Sequence, residues 1–261
     1  MNTKDVRVVA VQPSTFTNVT REAREALIPT GRLRAGINLG NELFTTRDAI
    51  SGTLRGVSVD LMGALASRLD APLDLVVYPQ PGDVVDAADK ELWDVAILAI
   101  EPARAERISF SSPITRIEAT LVVHRNCIDT TPDQFDKPGL RIAAMDKGGY
   151  ELYLTRTLQH ATLVRTATFA ASLEAFNEGR ADAVAGLTPT LRASMDRMPG
   201  GRLLEGGFCT VLHGFGVPRA RQYATKYLNA FVNDLNANSF IEKLIKRHQV
   251  DDLHAVNVSS D

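Results

Sequence analysis

Two arginines and two acids crowd the turn AIEPARAERISFSSPI, residues 99–114, which follows the apolar run WDVAILAI. Arg104 is the member best suited to chemistry. A guanidinium presents a planar fork of N–H donors that matches the two oxygens of a carboxylate. Ligand crevices of α/β sheets open at the carboxyl ends of their parallel strands, which is where this turn would lie. From the residues alone, Arg104 has two readings: a clamp on a ligand carboxylate, or half of an ion pair on a solvated turn. Arg107 reads as a surface residue. Glu101 stands directly before Pro102. It is a weak helix N-cap, although a carboxylate is favoured at a helix start. It either stays at that turn or points into a cleft.

Other chemistry is sparsely supplied. The five histidines, at 124, 160, 213, 248 and 254, have no i,i+4 or cysteine-paired spacing, so no metal site is expected. No Ser/His/Asp set or phosphate loop is visible, and no cofactor is implied. Cys127 and Cys209 read as two free, partly buried thiols. A disulfide would require export and a closeness that sequence does not show. The 261 residues carry a formal net charge of −2, which gives no electrostatic case for nucleic acid or a membrane surface. No run of about 18 apolar residues is present to span a membrane. The start, MNTKDVRVVAVQPSTF, lacks a secretory apolar core and a small-residue cleavage site, so no signal peptide is visible.

The elements that must hold Arg104 follow from the hydrophobic pattern. A short helix is expected around REAREAL. LRAGINL reads as a strand, and VSVDLMGALASRL places Val57, Leu61, Leu65 and Leu69 on one helix face. LDLVVYP is a second strand, DVVDAADK a short helix, and DVAILAI an almost wholly apolar third strand, as in a parallel sheet covered on both faces. After the extended segment PITRIEATLVVHR the alternation restarts with LRIAAM, KGGYELYLTRTL, ATLVRT, TFAASLEAFNEG, ADAVAGL and TPTLRASMDRM. A second extended segment, FCTVLHGFGVP, leads to final helices with an apolar stripe of Tyr227, Leu228, Phe231, Val232 and Leu235. Strand alternating with helix argues an α/β class. The last helices have no sheet of their own and are expected to return to the first unit.

The segments GRLRAGI, GVSVDLMGALASRL, WDVAILAIEPARAERISFSSP, GLRIAAMDKGGYELYL and GRADAVAG, in this order, resemble the family 3 extracellular solute-binding proteins of ABC uptake systems. The resemblance covers roughly residues 31–250. It implies an α/β, two-lobed type II periplasmic-binding-protein fold, each lobe a three-layer βα unit, joined by a two-stranded hinge. The expected division is an N-terminal extension at 1–30, a discontinuous first lobe at 31–114 and 215–261, an inserted second lobe at 120–208, and hinge segments near 115–119 and 209–214. Arg104 matches the family arginine that grips a ligand carboxylate. MDKGGYELY matches a turn at a helix N-terminus whose backbone N–H groups receive an anion, with Gly148 and Gly149 allowing close approach. Lys147 stands where the family usually carries Gly, facing either solvent or the cleft. Phe44 matches an aromatic ring over the ligand, with Asn38 and Asn41 as polar contacts. Tyr150 either reaches the ligand or packs on its helix, and His213 reads as structural.

Three departures from the family pattern bear on the ligand. Ala99 replaces a Ser or Thr that bonds the ligand. Glu101 replaces a Thr. Leu187 stands where amino-acid binders place the Asp that holds the α-ammonium; Asp182 is an earlier, structural Asp. A buried ammonium needs a partner, so an ordinary α-amino acid is the weaker candidate. The leading expectation is a monomeric solute-binding protein that takes a small carboxylate ligand, an amino acid or a related organic acid, with an ABC permease as partner. The resemblance implies a periplasmic location; with no visible signal peptide, a cytoplasmic one stays open. The alternative is a lyase similar to cyclohexadienyl dehydratases, with Glu101 and Lys147 as its catalytic residues.

Overall fold

The structure, a computed structural model, describes residues 19–256. Residues 1–18 of the expected N-terminal extension and 257–261 of the expected first lobe lie outside the described residues. The chain opens with α1 (Arg21–Leu27), β1 (Leu33–Asn38), a hairpin of β2 (Thr46–Arg47) and β3 (Leu54–Arg55), and α2 (Val57–Arg68). It continues through β4 (Leu73–Tyr78), α3 (Pro81–Ala88), β5 (Val95–Ala99), α4 (Pro102–Ala105) and β6 (Ile108–Phe110). The long strand β7 (Thr115–His124) leads to β8 (Arg141–Met145), α5 (Gly149–Thr157), β9 (Thr162–Thr166) and α6 (Phe169–Asn177). Then come β10 (Ala183–Leu187), α7 (Thr188–Ala193) and β11 (Gly201–Leu203). A second long strand, β12 (Cys209–Pro218), returns the chain to α8 (Thr225–Ala237), α9 (Phe240–His248) and β13 (His254–Ala255).

The strands lie in the order β4-β1-β5-β12-β7-β10-β8-β9. At each end is a parallel triplet, β4-β1-β5 and β10-β8-β9. Between them, β7 and β12 pair antiparallel over residues 115–119 and 209–213. Each long strand then joins one triplet: β12 pairs β5 through 213–216, and β7 pairs β10 through 119–123. The outcome is a two-lobed α/β fold with one parallel triplet per lobe.

Local chemistry explains the elements. β5, VAILA, is buried along its whole length, as a parallel strand covered on both faces must be. Gly56 caps the start of α2, and its φ of +133° suits glycine alone. A Cβ there would stand 2.2 Å from the Phe44 carbonyl oxygen, so the missing side chain lets the Phe44 loop dock against the helix start. α3 begins at Pro81, two residues earlier than the pattern suggests, because proline is at home at the first helical position. The expected helix over TPTLRASMDRM breaks: α7 ends at Ala193, and a 3₁₀ turn occupies Met195–Arg197.

Both lobes carry the same clasp. The Arg34 N–H and Nε donate to Asp94 Oδ2 at 2.9 and 3.0 Å, and Nη2 donates to Oδ1 at 2.7 Å. Arg141 repeats this on Asp182 at 2.9, 3.0 and 3.0 Å. Asp94 additionally accepts from Arg221 Nη1 at 2.6 Å. Trp93, the sole tryptophan, is wholly buried beside this clasp and donates from Nε1 to the Val84 carbonyl at 2.8 Å. The closing helices meet the first lobe: α9 packs on α2, Arg68 Nη2 pairs with Asp234 at 2.7 Å, and His248 Nε2 lies 2.9 Å from Asp60. α1 is tied down by Arg24 Nη1, which donates to the Leu69 carbonyl at 2.8 Å. β13 pairs with β7 at Arg116, and the neighbouring Asp252 pairs with Arg192.

Candidate functional site

The parallel strands of both lobes end at one cavity of about 360 Å³, a size suited to a small ligand. From the first lobe, β1 delivers Asn38 and Asn41, β4 delivers Gln80, and β5 delivers Ala99 and the Arg104 turn. From the second, β8 delivers Met145 and the glycines that open α5, and β10 delivers Leu187. This is the crevice outside the carboxyl ends of parallel strands that α/β sheets use for ligands.

Arg104 is 3% exposed and lines this cavity. Nη1 donates to the Ala99 carbonyl at 3.1 Å, and Nη2 crosses to the Lys147 carbonyl at 2.8 Å. Both partners are neutral, and among the described residues no carboxylate pairs with it. Burial lowers its pKa to about 10, against the raising pull of Glu101 and Glu151, so it stays charged at neutral pH. A buried cation without an ion-pair partner is a strong anion attractor.

Opposite Arg104, α5 begins at Gly148 and Gly149. Gly148 is the N-cap and has no side chain to satisfy the first-turn N–H groups. A Cβ on Gly149 would stand 2.7 Å from the Ala99 Cβ, so α5 presses directly on the end of β5. That contact leaves no room for a longer side chain on either partner. Tyr150 is buried in the cavity wall, and burial raises its hydroxyl pKa. Phe44 packs against His213 with ring centroids 4.5 Å apart and planes tilted by 37°, and His213, on β12, is in register with Ala99 of β5. Burial, with Arg104 adding to it, lowers His213 to about 3, so its ring is neutral.

Of the sequence-selected residues, the structure brings Asn38, Asn41, Phe44, Ala99, Arg104, Gly148, Gly149, Tyr150 and Leu187 to the cavity. Glu101 and Lys147 are corrections, since neither side chain is in its lining. Lys147 Nζ pairs with Asp86 of α3 at 2.9 Å, outside the cavity. Its backbone φ of +57° is a left-handed value that glycine takes most readily, which accounts for Gly as the usual family residue. Glu101 accepts from Arg156 Nη1 of α5 at 2.6 Å rather than from Lys147, and it is not in the cavity lining. Burial holds its carboxyl above the usual range despite Arg156 and Arg104. Arg107, expected on the surface, is half-buried and bridges Asp86 and Asp89.

Gln80 and Arg197 are cavity residues that the sequence reading missed, and His213, expected to be structural, also lines the cavity. Gln80 had a usable signal, because it directly follows a predicted strand. Arg197 and His213 arrive from a 3₁₀ turn and a hinge strand, which carry no local site signature. Cys127 and Cys209 are free thiols, and burial pushes the Cys209 thiol up to about 12. Among the described residues no group of His, Cys, Asp or Glu is arranged to hold a metal, and no helix is long and apolar enough to cross a membrane.

Known proteins share this fold. The amino acid ABC transporter substrate-binding protein AbpA from Streptococcus pneumoniae, bound to L-arginine, superposes with a TM-score of 0.71 at 17% identity, covering 87% of this chain and 99% of that one. The ancestral amino acid-binding protein AncCDT-1, a precursor of cyclohexadienyl dehydratase, gives 0.68 at 20% identity, covering 85% and 96%. In sequence, the membrane-bound lytic murein transglycosylase F of Shewanella sp. (strain ANA-3) is 28% identical over 134 residues, 51% of this chain and 27% of that protein. The chain thus spans about a quarter of the length of the curated relatives it matches. The sequence profile of the bacterial extracellular solute-binding proteins, family 3, matches residues 33–250, most of the chain, and the chain belongs to that family.

Proposed function

We propose that this protein captures a small carboxylate-bearing molecule, an amino acid or a related organic acid, between its two lobes for ABC-type uptake outside the cytoplasm. The observation that carries this reading is Arg104: a buried, charged guanidinium in the cavity whose bonded partners are two neutral carbonyls. A ligand carboxylate would supply the missing counter-charge. The uncapped start of α5, on the facing lobe, favours the same charge.

In this reading the described residues 31–114 and 215–256 form the first lobe and 120–208 the second, and the chain acts as a monomer with an ABC permease as its partner. The segments 115–119 and 209–214 bend as the hinge. They contain the stretch where β7 and β12 pair with each other, and closure about such a hinge buries the ligand. Residues 21–27, within the 1–30 extension, ride on the first lobe through α1. The lyase reading needs a proton-transfer group in the cavity, and the two residues expected in that role, Glu101 and Lys147, are both held in ion pairs away from its lining.

The test is calorimetry with a panel of carboxylates on wild type and on Arg104→Ala. Removing the guanidinium is expected to cost at least about 2 kcal/mol of binding, as for one partner of a buried charge pair. Arg104→Lys should bind poorly too, because the fork is lost. Near-normal affinity in Arg104→Ala would place the clamp elsewhere.

A further inference from the structure

From the charges around the cavity we infer that its ligand is an apolar monocarboxylate without an α-ammonium group, such as a 2-oxo acid, and that Leu187 sets this preference. The inference rests on the carboxylate reading of Arg104 and goes one step past it.

An α-amino acid carries an ammonium next to its carboxylate. Wherever Arg104 holds the carboxylate, the ammonium is buried within a bond or two of it and needs an acceptor, preferably charged. The cavity lining offers neutral acceptors, Gln80 Oε1 and His213 Nδ1 among them, but, of the described residues, no buried charged one. Among the described residues its only carboxylate is Glu42, which is exposed, while its cations are Arg104 and Arg197. Each buried acid nearby is already held. Glu101 is paired with Arg156. Glu151 accepts from the Lys147 N–H at 3.1 Å, from Thr155 Oγ1 at 2.7 Å and from Arg165 Nε at 2.9 Å. Asp182 is clasped by Arg141 at the start of β10, at the opposite end of that strand from the cavity.

The end of β10 that does reach the cavity carries Leu187, 7% exposed. Met145, Phe169 and Val211 line the same cavity. This is a wall for a hydrocarbon body. On the other face, His213 is neutral and packed at a tilt against Phe44, so it adds no charge of either sign. The cavity therefore sets one buried cation without a charged partner, Arg104, against an apolar wall of Met145, Phe169, Leu187 and Val211. An ammonium brought there would meet Arg104 without a compensating anion, whereas a carbonyl at the same position keeps the carboxylate contact and adds no charge.

Calorimetry with two matched pairs tests this: 4-methyl-2-oxopentanoate against leucine, and phenylpyruvate against phenylalanine. Each oxo acid is expected to bind at least about tenfold tighter than its amino acid, the scale set by leaving a buried charge unpartnered. Leu187→Asp supplies the missing acceptor and should reverse the order within each pair. Leu187→Asn, the uncharged isostere of that aspartate, should narrow the gap without reversing it. Amino acids binding tighter to wild type would overturn this inference and leave the carboxylate reading intact. An unchanged order in folded Leu187→Asp would remove Leu187 as its cause. Binding of neither pair, with no response to Arg104→Ala for any other carboxylate, would sink both readings together.

Discussion

The two lobes repeat one device and use it differently. In each, an arginine opening a parallel strand clasps an aspartate one residue before another, and that aspartate's N–H returns to the arginine carbonyl, at 2.7 Å for Asp94 and 2.8 Å for Asp182. In the first lobe the Asp94 carboxylate is 0% exposed and also receives Arg221, from the turn after β12. In the second lobe the Asp182 carboxylate is 30% exposed and holds only Arg141. The motif is the same in sequence; its energetic weight is set by what else folds over it. The first clasp ties the returning C-terminal part of the chain to the first sheet, and the second closes its own sheet.

The comparison can be broken most directly at Asp94. Asp94→Ala leaves buried Arg221 with the exposed Glu91, at 3.3 Å, as its remaining ion-pair partner among the described residues, and it is expected to destabilise by about 3 kcal/mol, the low end for breaking a buried pair. Urea unfolding measures it. Asp182→Ala should cost only about 1 kcal/mol, because water can reach both groups of the pair. Equal losses would show that the third arginine adds nothing.

Acid sharpens the contrast. Arg141 holds the Asp182 carboxyl below its ordinary value. A depressed carboxylate stabilises the fold above its unfolded pKa, near 3.9. That contribution is lost as pH falls through the lower folded value. The stability gap between wild type and Asp182→Asn should therefore be flat from neutral pH to about 5 and shrink below about 4. The smallest effect belongs to a tie between lobes. Lys147→Ala removes an exposed pair with Asp86 and should change stability by less than about 1 kcal/mol. Small-angle scattering should nonetheless show a more open population, because this pair exists only when the lobes meet.

What is legible in the sequence follows the range of the forces involved. The parallel strands announce themselves because double burial demands continuous apolar runs, as in VAILA at β5. The strand-end residues Asn38, Ala99 and Leu187 are legible through the family resemblance rather than the apolar pattern, and all three line the cavity. Lys147 and Glu101 do not, because their directions are decided by Asp86 and Arg156 on the opposite lobe. Local pattern carries no record of a partner that arrives only after both lobes have folded. His213 was read as structural for a related reason: its register with Ala99, not its neighbours in sequence, puts it in the cavity wall.

Trp93 gives the molecule a built-in optical asymmetry. The chain has one indole, sealed in the first-lobe core, fixed by its bond to Val84 and absent from the cavity lining. Its emission is that of a dry, rigid chromophore whether the cleft is empty or full. Intrinsic fluorescence is thus close to blind to ligand capture, while it reads the melting of one lobe in isolation. A denaturation curve followed by this indole and one followed by circular dichroism would coincide only if the two lobes unfold as a single cooperative unit.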